Sequence, residues 1–372
     1  MKICHMTSVH TPFDTRIFHK ECKSLIKAGY DVHLITRHDR DETIDGITIH
    51  AVPAYASKIR RMISATHAVY KKAVEDTYDV YHFHDPELIP FGLLLKMKGK
   101  KVIYDVHEDY PVYFRYKEAF PSALRMPLSW IIGIIERYSA GRFDAAVTVT
   151  PTIYERFTSL NENTVLVRNF PFPDKYSFVD TAESREPKPD AVVYVGSLTL
   201  DRGVKEMVQA VGLARKSHPV RLILAGDFGS ESHKQIITNM PEFSSVDYRG
   251  HTSHEKTTSL FEQARVGMVL CHPHPHYQRA YPTKLFEYMS AGIPVIASNF
   301  PMWRAIVEDA GGGLTVDPMN PEEIAEAVTY LLSNPLEAEK MGKLGKVAAQ
   351  KKYNWKSEES VLLDIYKKIT SK

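Results

Sequence analysis

Two doubly wound α/β domains in tandem are what this sequence predicts, and three observations carry the prediction. The chain has 372 residues, more than one hydrophobic core normally serves, so two domains of roughly 170 to 180 residues are expected. Short β-rich runs alternate with helical patterns along nearly its whole length, the order that builds parallel sheets. A polar, proline-rich stretch over 173–189 breaks every periodic pattern. It divides the chain into a first domain at 1–172 and a second at 190–353.

The first half reads as strand KICHMT, a helix near Arg16 to Ala28, strands DVHLIT and ITIHAV, a helix from Lys58, then strands DVYHFH and KVIYDVH. It closes with an amphipathic segment near Pro121 to Ala140, strand DAAVTVT, a short helix after Pro151 and strand TVLVRN. The second half restarts with AVVYVG, a helix from Val204, VRLILAG, SVDYRG, a helix from Ser253, VGMVLC, a helix from Thr283, IPVIAS and GGLTV. Pro321 to Lys372 reads as three helices, and the last, 354–372 with Trp355, is expected to join the first domain.

Composition narrows the function. Hydrophobic residues make up 44% and charged residues 25% of the chain, and no window approaches the roughly 20 apolar residues of a spanning helix. The opening MKICHMTSVHTPFD lacks the apolar core and cleavage site of an export signal, so a soluble, cytoplasmic protein is expected. A net charge of +2 argues against a nucleic-acid partner. Cys4, Cys22 and Cys271 show no paired spacing, which suits a reducing compartment. Lys58, Arg60, Arg61, Lys71 and Lys72 concentrate positive charge over 58–72 among Ile59, Met62, Ile63 and Val69. That segment reads either as an ordinary amphipathic surface helix or as a peripheral contact with the inner face of a membrane.

Ligands of such sheets bind beyond the carboxyl ends of the strands, so the cleft between two facing sheets is the expected site. A nicotinamide enzyme is disfavoured, because the loop after the first strand, TSVHTPFDTR, holds no glycine where a pyrophosphate turn needs several. The informative segment is YPTKLFEYMSAGIPVIAS, Tyr281 to Ser298: a proline at a helix start, a carboxylate one turn in, and a Gly-Ile-Pro stop before a buried strand. It resembles the family 4 retaining glycosyltransferases, whose GT-B fold is two facing Rossmann-like domains with a cleft between them.

The resemblance implies that this helix points its N-terminus at a nucleotide diphosphate and that Glu287 grips the ribose. Backbone N–H groups of Thr283, Lys284 and Leu285, together with the Lys284 ammonium, would face the phosphates. In GSLTLDRGVKEMVQA, Gly196 would let the backbone approach the donor and Arg202 would oppose the diphosphate. In IYDVHEDYP, His107 at a strand end would contact donor sugar or acceptor. HTPFDTRIFHKE and HFHDPELIPFG are similar to a subgroup of the family, which makes Asp14, Arg16, His84, Asp85 and Glu87 acceptor-side candidates. The family pattern is broken twice: Arg279 stands where a glutamate is expected eight positions before Glu287, and Ser197 follows the first glycine. Lys284 is expected to stand in for the arginine missing at 197.

Blander readings accompany these. Glu287 and Arg202 also fit solvent-facing residues, and His107 a structural histidine. Cys271, His272, His274 and His276 have zinc-ligand chemistry but no second cluster to complete four-coordination, so they are read as a loop near the donor sugar. His82, His84 and Asp85 form a weak metallohydrolase pattern, and Asp39 and Asp41 read as solvated. No metal and no cofactor are expected. The expected reaction is retaining transfer of a sugar, from a UDP-sugar by the resemblance, to a hydroxyl of a glycan or lipid-linked acceptor, as in polysaccharide biosynthesis. His107, Arg202 and Lys284 would do the catalytic work. A nucleotide-sugar epimerase of GT-B fold and a degenerate sugar-nucleotide-binding protein are the alternatives.

Overall fold

A computed structural model describes residues 1–55, 61–116, 121–180, 190–252 and 254–371. Lys58 and Arg60 of the basic segment, and most of the polar stretch at 181–189, lie outside the described residues. Two compact units emerge: Met1–Asn169 with Trp355–Lys372, and Phe170–Asn354.

The first unit holds an eight-stranded sheet, ordered β3-β4-β2-β1-β5-β6-β7-β8. Its strands are β1 Lys2–Met6, β2 Asp31–Arg37, β3 Glu42–Ile44, β4 Ile47–Val52, β5 Val80–Phe83, β6 Lys101–Val106, β7 Ala145–Thr148 and β8 Thr164–Leu166. All pairings are parallel except β3 with β4. That hairpin escaped the sequence reading. Asp45 and Gly46, at φ 53° and 81°, supply the two positive-φ residues of a tight turn whose twist suits adjacent strands.

Strand alternation decides what each face of this sheet carries. Cys4 and Met6 point into an apolar core with Phe83 and Tyr104. His5, between them, points the other way and pairs in register with His82 of β5. That second face lies beneath α1, Lys23–Lys27, entered through a wider π-wound segment Ile17–Cys22, and beneath the C-terminal helix Trp355–Thr370. Trp355 is fully buried and donates its indole N–H to Ser24 Oγ at 3.0 Å. Burying a large aromatic side chain stabilises by about 1.5–3 kcal/mol, which accounts for the last helix packing back on the first unit.

The second unit holds a six-stranded parallel sheet, β11-β10-β9-β12-β13-β14: β9 Ala191–Val195, β10 Arg221–Ala225, β11 Val246–Gly250, β12 Val266–Val269, β13 Val295–Ser298 and β14 Gly313–Val316. Val193 and Ile223 enter one apolar cluster, Val192, Tyr194 and Leu222 another on the opposite face. Continuous apolar runs such as AVVYV follow from burial on both sides. The start of the expected linker behaves differently from a tether. Pro173–Asp180 forms helical turns, and Phe170 and Tyr176 are buried in the second unit's core, which moves the division to 169/170.

Candidate functional site

In each sheet the strand order reverses beside its first strand, at β1/β5 and at β9/β12, and the chemistry-bearing residues collect beyond the carboxyl ends there, where open α/β sheets bind ligands.

In the second unit three loops converge. The turn after β9 carries Gly196 and Arg202, and ends at Gly203, whose φ of 67° starts helix α2, Val204–Ala214. A Cβ on Gly203 would overlap the carbonyl oxygen of Leu270, and one on Gly226 the carbonyl oxygen of Gly196. These two close approaches, rather than Gly196 itself, shape the turn. Arg202 is held by aromatic neighbours: its guanidinium lies 5.5 Å from the Tyr277 ring centre and beside Tyr194. Tyr277 donates to Asp201 Oδ2 at 2.6 Å, and the His272 N–H to the Asp201 carbonyl at 2.8 Å. The CHPHPHY run is therefore a wall strapped to the Arg202 turn. His272 Nε2 meets Glu206 at 3.1 Å, and among the described residues this run contributes to no metal-competent cluster.

Helix α3, Thr283–Ser290, begins after Pro282 without a side-chain cap. One expectation needs correction: the N–H of Leu285 already donates to the Pro282 carbonyl at 3.0 Å, and the Leu285 side chain is buried in the core. The N–H groups of Thr283 and Lys284 remain as the donors of this first turn, where the helix dipole favours an anion. Glu287 is 5% exposed and accepts from Lys284 Nζ at 2.6 Å. Burial of that carboxylate removes the reading as a solvent-facing helix residue. The same bond means that Lys284 does not stand alone as a phosphate cation; its charge is shared with Glu287.

In the first unit the sheet face bearing His5 becomes a buried polar network. Asp105, on β6, is its hub. Arg16 donates Nε and Nη2 to its two oxygens at 3.1 Å each, while His84 Nδ1 and His107 Nε2 approach Oδ2 at 3.4 and 3.3 Å. From His107 the rings continue inward. His107 Nε2 is 3.1 Å from His84 Nδ1, His84 Nε2 is 2.9 Å from His5 Nδ1, and the Tyr366 hydroxyl bridges His5 Nε2 at 3.2 Å and His82 Nδ1 at 2.7 Å.

Glu21 Oε1 lies 2.9 Å from Arg16 Nε. Two carboxyl groups thus face one guanidinium. Burial and the neighbouring Asp105 raise the Glu21 carboxyl well above its usual range. Asp105, although burial alone would raise it, is held well below the carboxylate range by Arg16. The pair is read as Glu21 protonated and Asp105 ionised. Burial likewise lowers His5 and His82 and pushes His84 down to about 4, so these rings are neutral.

This placement revises the acceptor-side candidates. Arg16 is 4% exposed and His84 fully buried; Arg16 bonds Asp105 and the Val167 carbonyl, and His84 meets His5 and His107. Asp85 is also buried, accepting from Thr7 Oγ1 at 2.8 Å and the Ser8 N–H at 2.7 Å, so it ties the loop after β1 to that after β5. Glu87 accepts from Ser8 Oγ at 2.8 Å. Asp14 accepts from the N–H groups of Arg16 and Ile17 at 2.8 and 2.9 Å, and meets His10 Nδ1 at 3.1 Å. His107 remains at the surface of the network, 13% exposed, with Nε2 turned inward and Nδ1 as its other nitrogen. Beside it stands His10, ring centres 5.1 Å apart.

His5, Glu21, His82 and His84 offer ligand atoms within 4.8 Å of one another, as do His84, Asp105 and His107. Three imidazoles and a carboxylate suit a small tetrahedral ion. Here His5 and His84 bond to each other, whereas His82 Nε2 and both Glu21 oxygens have no hydrogen-bond partner among the described residues, and Arg16 presses a fixed positive charge against the set. His5, His10, Glu21, Asp105 and Tyr366 were missed by the sequence reading. A signal existed for one of them: Asp105 and His107 alternate on a strand as His82 and His84 do, which puts all four on one face.

Two family models match: Glycosyltransferase Family 4 over residues 15–170 and Glycosyl transferases group 1 over residues 179–348. An uncharacterized glycosyltransferase of Methanocaldococcus jannaschii is 23% identical over 47% of this chain and 44% of its own length. Glycogen synthase of Mycobacterium tuberculosis is 22% identical over 64% and 58%. The matches to these curated relatives thus span about half of those proteins. Among solved structures, sucrose-phosphate synthase from Thermosynechococcus elongatus superposes with a TM-score of 0.78 at 19% identity over 100% of this chain and 99% of its own. HepE from Anabaena, solved in complex with UDP and glucose, gives 0.72 at 13% over 99% of each chain. At these identities the superpositions establish the fold, two α/β units of GT-B type.

Proposed function

We propose that this chain, which belongs to the family 4 glycosyltransferases, transfers a sugar with retention from a nucleotide diphosphate to a hydroxyl of a glycan or lipid-linked acceptor. The observation that carries the reading is Glu287, a buried carboxylate one turn inside a helix whose start has no side-chain cap. A carboxylate so placed accepts hydrogen bonds from a ribose diol while the N–H groups of Thr283 and Lys284 receive the diphosphate. One structural neighbour, HepE, solved with UDP and with UDP-glucose, supports uridine as the base.

In the proposed reaction the bond from the anomeric carbon to the diphosphate oxygen breaks, and the acceptor oxygen bonds to the same face. The acceptor proton passes to a leaving phosphate oxygen. Arg202, Lys284 and the helix N-terminus carry the charge that grows on the diphosphate, so the donor site needs no metal ion. His107, fixed through Nε2 by Asp105 and His84, offers Nδ1 to a sugar or acceptor hydroxyl. The basic segment 58–72, in which Lys71 is exposed, would add a peripheral membrane contact near a lipid-linked acceptor.

Calorimetric titration of UDP, GDP and ADP, with and without EDTA, tests the reading. Binding of one nucleotide, unchanged by EDTA and weakened at least tenfold in Glu287→Ala and Lys284→Ala, is expected. No binding of any nucleotide by the wild type refutes it, and undiminished binding by Lys284→Ala removes the phosphate role of that lysine.

A further inference from the structure

The helix Ser122–Ala140 is held along one side only. Glu136 is fully buried, accepting from Tyr104 at 3.1 Å and from Arg156 at 2.6 Å, and Ser139 and Ala140 are buried beside it. Further toward its start the helix packs on Tyr110–Tyr116, with Ser129 Oγ donating to the Pro111 carbonyl at 2.7 Å. Its other side is apolar and faces solvent. Trp130 is 71% and Tyr138 57% exposed, and Leu124, Met126, Ile131 and Ile134 are each about half exposed. At 100° per residue these six fall on one side of the helix. An exposed strip of this size marks a binding surface rather than chance.

The charges around the strip say what covers it. Arg115, Arg137 and Arg142 are exposed at its edges, and the Arg142 guanidinium stacks 3.5 Å from the Tyr138 ring centre. Glu136 is the one acid among the described residues of 110–142, and it is buried. A second copy of the strip, laid face to face, would set arginine against arginine. An anionic lipid surface meets both features: Trp, Tyr and Ile enter the headgroup boundary while arginines meet phosphates. No described helix is long and apolar enough to cross a membrane, so the contact lies in the interface plane. We propose that this helix face docks the protein on an anionic membrane.

Flotation of the full chain with vesicles of phosphatidylcholine alone, and of an equal mixture with phosphatidylglycerol, tests this. The wild type is expected to float with the mixed vesicles. Trp130→Glu with Ile134→Glu should weaken that binding at least about tenfold, since each apolar side chain withdrawn from the interface costs on the order of a decade in affinity. Arg137→Glu with Arg142→Glu should abolish the preference for the anionic mixture. Both double variants change exposed positions, and unchanged circular dichroism with an unchanged melting temperature would show that they fold. Absence of flotation by the wild type overturns the proposal. So does undiminished flotation of the Trp130/Ile134 variant, or a wild-type dimer in light scattering that this variant dissociates while vesicles bind neither protein.

Discussion

Acidification should loosen the first unit through His84, and the size of the effect follows from its burial. The ring is fully enclosed and its pKa is pushed down to about 4, against about 6.5 in an unfolded chain. Between those values the unfolded chain binds a proton that the folded one refuses, so stability falls as pH drops. From about pH 7.5 to about pH 5 the loss attributable to His84 is roughly 2 kcal/mol, rising to about 3 kcal/mol once both states are protonated.

Glu21 runs the other way. Its carboxyl is raised in the folded state, so its contribution grows on acidification, and the wild-type curve alone mixes His84 with Glu21 and with the lowered His5, His82 and Asp105. The difference between wild type and His84→Asn isolates the histidine. Urea unfolding at the two pH values, read by hydrogen exchange of peptides covering 80–106, should show the variant losing about 2 kcal/mol less than the wild type. Equal losses, within about 0.5 kcal/mol, would refute the assignment of a neutral, buried His84.

Two further outcomes follow from the geometry. Asp105→Asn together with Glu21→Gln leaves the Arg16 guanidinium buried without a carboxylate partner and should cost about 3–5 kcal/mol in urea unfolding of the first unit; a cost below about 1 kcal/mol would mean that the group is not desolvated. Gly203→Ala meets both a left-handed φ of 67° and the Leu270 carbonyl. It should destabilise the second unit by at least about 1–2 kcal/mol and weaken nucleotide binding by displacing Arg202, whereas an unchanged melting temperature with intact binding would show that the turn tolerates a side chain.

Much of this molecule was legible before any coordinates because its signals are local. Runs such as AVVYV and KVIYDV alternate or saturate with apolar residues over a few positions, and the Pro282 start with the Gly292 stop brackets the helix that carries Glu287. The strands and helices, including the helix that carries Glu287, could therefore be found within short windows. The hairpin at Asp45–Gly46 was local too, but three residues of β3 are too few to show a period.

Tertiary structure decided what lies far apart in the chain. Tyr366 bonds His5 across 361 positions, and Arg16 bonds Asp105 across 89. Nothing in a window around Arg16 tells a surface cation from the buried partner of a sheet-centre aspartate, because burial is set by which helix covers which sheet face. The same holds in reverse for Ser122–Ala140. Its amphipathic pattern shows that one side is apolar, but only packing decides whether that side meets a core. Here the anchor at Glu136 turns it outward, since that buried carboxylate needs Arg156 and Tyr104 on the inner side.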